Sequence, residues 1–406
     1  MRIEQSGLDA PLWPGTAMAA ASTGAHAAAG LCPPVSGQRG GVVWTGDPRL
    51  DVGLCAALGT QPGAGPVPSG GQRASGAGRA DGGHVGPVGG RHADGAPRFD
   101  QPVAPGAYLW WYVDALSDDG QHGLSIIAFV GSVFSPYYAL ARKLGGGVAE
   151  AENYCALNVA LYGKAGKRWT MTERGRSHIE RSANHYRIGP SSLHWDGQAL
   201  RIEFDEINVP IPMRVRGRVT VRPEGLCRFV TALDNAGRHR WGPIAPCSRV
   251  EVELDNPSAS WSGHAYMDSN EGDEPVEHGF RDWDWARAEM ANGDTAVVYD
   301  VRPREGPGRV VAQRFARNGE TTAFEAPPRH TLPHSGWRIP RAMSSETGSA
   351  PQLVSTLEDT PFYVRSLLRT RLLGEDVTAV HESLDVPRLV SLPVRMMLPW
   401  RMPRRG

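Results

Sequence analysis

Two short segments gather side chains able to hold and transfer a proton. The first is RHRWG at Arg238–Gly242 and the second is WSGHAYMD at Trp261–Asp268. On a strand, residues two apart share a face. His239 and Trp241 then point one way, with Arg238 and Arg240 opposite. His264, Tyr266 and Asp268 likewise share a face of the second segment. If both strands line one cavity, an acid, two imidazoles, a phenol and an indole converge in it, the vocabulary of general acid–base catalysis.

Each of these residues also has a plainer use. Asp268 precedes Ser-Asn-Glu-Gly, where an aspartate commonly caps a turn. Tyr266 and Trp241 suit a core with a hydrogen-bonded tip, and His239 between two arginines suits a solvated face. His264, Asp268, Glu271, Asp273 and His278 are metal-ligand types, but their spacing matches no familiar site. The acidic stretch Glu271–Glu277 reads as solvated loop. The chain has no G-x-G-x-x-G after a strand, no G-K-[ST], no G-x-S-x-G and no H-E-x-x-H. No cofactor and no metal are expected.

The elements that must position these residues read as β. YLWWYVD at Tyr108–Asp114, a turn at Ser117–Gly123 and the apolar Leu124–Phe134 make strand, turn and strand. Leu193–Trp195, Asp196-Gly197 and Ala199–Phe204 predict a hairpin with a type I′ turn. Val215–Val221 and Val250–Leu254 alternate strictly. Further turns stand at Asn235–Gly237, Asn292-Gly293 and Asn318-Gly319, each beside a strand-like run. Trp283–Met290 suits two helical turns, and Thr360–Leu373 fits helix or strand. Short strands so regularly punctuated predict an all-β sandwich or barrel.

Composition changes sharply near Arg98. Residues 1–97 hold 22 of the 49 Gly and 10 of the 33 Pro but only two aromatics, so they lack material for a core. That segment is expected to be a disordered Gly/Ala/Pro-rich tail. Residues 98–406 carry ten of the twelve Trp, ample for a core. Lys+Arg and Asp+Glu are 43 each, which argues against a nucleic-acid partner. Five cysteines without a C-x-x-C pair point to a reducing compartment. Acids at Glu4 and Asp9 leave no signal-peptide pattern. The longest apolar run, near Leu124–Phe134, falls short of the roughly 20 residues of a spanning helix. After Asp385, five Arg and no acid accompany LVSLPVRMMLPW, a composition suited to an anionic membrane surface, although Pro393 and Pro399 argue against one continuous helix.

YLWWYVDALSDDGQHGLSIIAFVGSVFSPYYALAR, RHRWGPIAP and WSGHAYMDSNEGDEPVEHGFRDWDWARA resemble the carotenoid 1,2-hydratases, or hydroxyneurosporene synthases, of photosynthetic bacteria. The resemblance runs from about Pro97 to about Leu398. It implies a lipocalin-like β architecture and no cofactor. It also implies addition of water to the terminal C1–C2 double bond of an acyclic carotenoid such as lycopene or neurosporene. The expected layout is a tail at 1–97, two lipocalin-like β domains at 98–255 and 256–387, and a basic segment at 388–406.

The chemistry suits the residues. A trisubstituted alkene is a weak base, so its protonation needs a strong, well-placed acid. An aspartate in an apolar pocket stays protonated near neutral pH. Asp268 is the expected proton donor to C2, and Trp241 is expected to face the C1 cation. His239 or Tyr266 is expected to hold the water and take its proton. Trp261, His264 and Trp283 are the expected substrate-binding residues. The expected location is cytoplasmic, attached peripherally to the inner or intracytoplasmic membrane. A non-catalytic carrier of an apolar ligand would use the same barrel without an acid. A glycan-active β-protein would need paired carboxylates open to water.

Overall fold

The aromatic run at Tyr108–Ser117 forms strand β1, and each of its faces is buried against a different partner. Leu109, Trp111, Val113 and Ala115 enter one core, while Tyr108 and Tyr112 enter another. The computed structural model describes residues 89–163 and 166–405. The tail expected at 1–97 therefore lies outside the described residues up to position 88.

Antiparallel strands follow β1 through the first two-thirds of the fold. They are β2 (His122–Val130), β3 (Cys155–Gly163), β4 (Arg168–Arg174), β5 (Ile179–Ser182), β6 (His185–Ile188) and β7 (Ser191–Trp195). Then come β8 (Leu200–Ile207), β9 (Arg214–Pro223), β10 (Thr231–Ala232), β11 (His239–Asn256) and β12 (Ser258–Gly272). Together with β22 (Arg404–Arg405) they make a 13-stranded sheet in the order β22-β4-β3-β2-β1-β12-β11-β9-β8-β7-β6-β5, with β10 on β11. The sheet curls, because Tyr186 of β6 stacks edge-on against Trp111 at 5.8 Å and donates to the Phe129 carbonyl at 2.7 Å. Its described edges, β5 and β22, do not pair with each other.

The second sheet has seven strands. These are β13 (Phe280–Glu289), β14 (Thr295–Pro303), β15 (Arg309–Phe315), β16 (Thr321–Ala323), β19 (Gln352–Asp359), β20 (Tyr363–Leu372) and β21 (Glu375–Asp385). A two-stranded ribbon, β17 (Arg329–Thr331) and β18 (Ala342–Ser344), stands between β16 and β19 in the chain. Trp283, Trp285, Val297, Tyr299 and Val301 face the large sheet, and Ala286, Ala288, Ala296 and Val298 enter a separate core. Period-two alternation thus makes Trp283–Glu289 a strand, not the helical turns its composition allowed. Within Thr360–Leu373, Tyr363–Leu372 is a strand for the same reason.

The domain boundary expected between 255 and 256 falls at the tip of the β11–β12 hairpin, where Asp255 pairs with Ser258 inside one sheet. The change of sheet comes later, at 273–279, through the short helix α2 (Val276–Gly279). The hairpin carries two one-residue bulges on β11, between Pro243 and Ala245 and between Ala245 and Ser248. The β7–β8 turn is not type I′, since Gly197 has positive φ but Asp196 does not. Asp196 instead accepts from the Gln198 and Ala199 amides at 2.9 and 2.7 Å.

Residues 89–97, assigned to the tail by composition, pack into the fold. Gly89 donates to Glu271, and Trp111 Nε1 donates to the Gly90 carbonyl at 3.0 Å. Arg91 is buried and donates to Ser269 Oγ and to the Phe229 and Pro243 carbonyls. At the other end, the basic segment forms α3 (Val386–Leu389) and α4 (Leu392–Arg401) ahead of β22. Pro393 is tolerated because it lies in the first turn of α4, where no amide partner is needed. Pro399 remains inside the helix. A further helix, α1 (Pro136–Leu144), is capped by Ser135, whose side chain accepts from the Tyr138 amide.

Candidate active site

The inner faces of the two sheets enclose a cavity of about 1000 Å³, mouth included. Every wall strand contributes alternate residues: Trp110 and Tyr112 from β1, Ser125, Ile127 and Phe129 from β2, and Asp268 and Asn270 from β12. The second sheet supplies Trp283 and Trp285 from β13, Tyr299 from β14, Tyr363 and Arg365 from β20, and Glu382 and Leu384 from β21. Leu398 of α4 and Met402 close one side. The walls are mostly apolar and aromatic, as ligand cavities are.

Asp268 is one of the few ionisable groups in that wall. It is buried, and its Oδ2 accepts from Trp241 Nε1 at 2.8 Å and from the Tyr266 hydroxyl at 3.0 Å. Its Oδ1 is buried without a hydrogen-bond partner among the described residues. Burial pushes the Asp268 carboxyl up to about 7; the two donors and Arg91 oppose the shift, and Glu382 adds to it. Both lone-pair directions of Oδ2 are engaged, so the proton of the neutral acid belongs on Oδ1. Burial holds Tyr266 well above the usual phenol range, so its hydroxyl stays protonated and donates.

A second polar cluster faces the same space. The Tyr112 hydroxyl lies 2.7 Å from Glu382 Oε1 and accepts from Arg365 Nη2 at 3.0 Å. Arg365 pairs with Glu382 and donates from Nε to the Tyr363 hydroxyl at 2.9 Å. Tyr112 is opposite Asp268 in the β1–β12 register, so the two clusters are neighbours. Tyr112 and Tyr266 each pack against Trp285, at 5.6 and 5.4 Å between ring centres.

Asp268, Tyr266 and Trp241 thus meet as strand parity predicts, but Trp241 and Tyr266 stand behind the carboxyl and do not line the cavity. His239 shares the face of Trp241 yet lies further along β11, opposite Gly272. Its Nδ1 is 2.9 Å from the Tyr108 hydroxyl, its Nε2 is 3.4 Å from Glu274, and its ring packs on Phe280. Burial pulls its pKa down. His264 lies at the opposite end, with Nδ1 2.7 Å from Glu289. Trp261 stacks on His122 away from the cavity, whereas Trp283 lines it. Sequence reasoning does not single out Tyr112, Glu382, Arg365 or Tyr363. No group of three or more His, Cys, Asp or Glu among the described residues is arranged to hold a metal ion. No described helix is long and apolar enough to cross a membrane.

A family profile described as carotenoid hydratase CrtC matches residues 126–406. The acyclic carotenoid 1,2-hydratase of Rubrivivax gelatinosus is 62% identical over 406 residues, all of both chains. Residues 1–97, which lie outside the resemblance read from the sequence, therefore have a counterpart there. The acyclic carotenoid 1,2-hydratase of Thiocapsa roseopersicina is 53% identical over 382 residues, 94% of each chain. Among solved structures, an AttH protein from Nitrosomonas europaea aligns with TM-score 0.49 and 12% identity over 68% of this chain and 92% of its own. The chain belongs to the carotenoid hydratase family.

Proposed function

We propose that this hydratase adds water to the terminal C1–C2 double bond of an acyclic carotenoid, with Asp268 as the acid. Asp268 Oδ1–H gives its proton to C2, leaving a tertiary cation at C1. The rings of Trp285, Trp283, Tyr112 and Tyr299 border the space where that charge forms, and an aromatic face is worth about 2 kcal/mol to a desolvated cation. Trp241 N–H, Tyr266 O–H and the Arg91 cation favour the Asp268 carboxylate created in the same step. A water held beside Tyr112 and Glu382 bonds to C1. The proton it then sheds returns to Asp268, so one water is added and the acid is restored.

The observation that carries this reading is a buried carboxyl, near neutrality by pKa, with one oxygen engaged and the other facing no protein partner. Trp241 and Tyr266 become positioning residues for that acid. An apolar-ligand carrier would have no use for such a group in an aromatic wall. Incubation with lycopene or neurosporene in deuterated water tests the proposal. It expects a more polar product carrying one deuterium at C2; unchanged substrate under conditions where the protein is folded would sink it.

An acyclic carotenoid resides in lipid, so the proposal includes peripheral attachment to a membrane on the cytoplasmic side. The arginines that suggested electrostatic attachment are mostly engaged within the protein. Arg388 donates to the Trp337 and Arg338 carbonyls, Arg395 to Glu277, Arg401 to the Val209 carbonyl and Arg404 to Glu173.

A further inference from the structure

Helix α4 is apolar on two sides. Val394 and Leu398 are buried, and Leu398 is part of the cavity wall. On the outside, Leu392, Met396 and Trp400 are 71%, 61% and 72% exposed. Their spacing of four puts them in one row along the helix. Leu140 and Leu144 of α1 are also exposed, and α1 is tied to α4 through Glu277, which accepts from Arg142 at 3.1 Å and Arg395 at 3.4 Å. The shared carboxylate offsets part of the basic charge between the two helices. What remains outward on α4 is a row of large apolar side chains ending in a tryptophan, the residue suited to a membrane interface.

We infer that the outer row of α4, with the neighbouring exposed leucines of α1, inserts into the apolar edge of a lipid bilayer and so places the cavity wall at the membrane surface. The inference rests on the reading of the substrate as lipid-borne. One helix then has both duties: its inner face bounds the cavity that receives the polyene end, and its outer face sits in the solvent from which that end comes. Attachment is predominantly apolar, since four of the five nearby arginines already have partners within the protein. It should therefore resist salt, which screens charge–charge attraction and leaves apolar burial intact.

The test is flotation of the full chain with phosphatidylcholine vesicles, with and without phosphatidylglycerol, at low and high salt. The comparison protein carries Leu392→Ser, Met396→Ser and Trp400→Ser, and Trp400→Ser alone serves as a milder variant if the triple variant melts early. Wild type should float with both lipid mixtures at both salt levels. The triple variant should partition at least about tenfold less, given what each large apolar side chain gains on leaving water. Its turnover of vesicle-borne lycopene should fall alongside, and turnover of detergent-dispersed lycopene should stay at the wild-type level. Equal flotation of both proteins overturns the inference, as does release of wild type by salt. So does a wild-type dimer that the substitutions convert to monomer without any vesicle binding. If neither protein hydrates lycopene in detergent, the hydratase reading fails while flotation still decides the surface.

Discussion

Two aspartates on the facing sheets are equally deep, each 4% exposed, and have opposite surroundings. Asp284 of β13 is fully met: Oδ2 accepts from Arg302 at 2.8 Å and Arg329 at 2.9 Å, and Oδ1 from Ser383 Oγ and the Ala342 amide. Asp268 has two neutral donors on one oxygen and, among the described residues, none on the other. The two are equally deep, and what differs is direct charge pairing: two guanidiniums touch Asp284, and among the described residues none touches Asp268. The same contrast separates Asp268 from Asp282 and Glu271. Asp282 pairs with Arg302 and Arg281, and Glu271 with Arg240.

The sharpest break is Asp268→Asn, which keeps the shape and removes the proton. Hydration of lycopene should fall by about 10²–10⁴-fold, the range for a lost general acid. In wild type, kcat should decline as pH rises through about 7, where the neutral acid disappears. Stability follows the same sign: the carboxyl's pKa is raised on folding from 3.8 to about 7, so its contribution is present at low pH and is lost across that interval. Thermal melts against pH should show this component in wild type and not in Asp268→Asn. A rate flat from about pH 6 to 9 would remove Asp268 from the acid's role.

Next in size is a chain beginning at residue 98, which lacks Arg91. Its loss strands Ser269 Oγ, the buried Pro243 carbonyl and the half-buried Phe229 carbonyl, and should cost on the order of 3 kcal/mol in denaturant titration. The fall in kcat should also move to higher pH, because Arg91 favours the Asp268 carboxylate. A chain beginning at residue 89 should behave as wild type in both measurements. Asp284→Asn should cost about 3 kcal/mol, the low end for a broken buried ion pair, since Arg302 keeps Asp282 and Asp300. Its turnover per folded molecule should stay within a few-fold of wild type; a collapse like that of Asp268→Asn would erase the contrast between the two acids. The smallest effect belongs to Trp241→Phe. It removes one donor to Asp268, so the alkaline limb should move upward, at a stability cost of about 1–2 kcal/mol. Trp241→Ala should lose more through the cavity it leaves.

Parity was the readable part of the site. WSGHAYMD places Tyr266 and Asp268 on one face, and the fold holds them 3.0 Å apart. Parity says nothing of depth along a strand, which is why His239 and His264 share the right face yet end at opposite extremes of it. Tyr112 and Glu382 are 270 residues apart in the chain and meet only because two sheets close on each other. Nothing local in YLWWYVD or in VHESLD announces that contact. Composition misled at both ends for a related reason. Arg91 and Gly89 look like tail, but a few specific bonds anchor them. The C-terminal arginines look like a charged surface, but carbonyl and carboxylate partners absorb them.

The two bulges of β11 have a consequence for insertions and deletions. Pairing sums of the β11–β12 ladder rise from 511 at His239–Gly272 to 512 at Ala245–Met267 and 513 at Ser248–Ala265, one step per bulge. With both steps present, Val250 and Val252 face the large core while Trp241 meets Asp268. Lengthening the hairpin tip at 256–257 should leave the acid undisturbed. Removing one residue between Pro243 and Ser248 should abolish one bulge and regularise the ladder there, leaving Trp241 paired with Asn270 and Val250 with Gly263, so its cost should be confined to the packing between those positions.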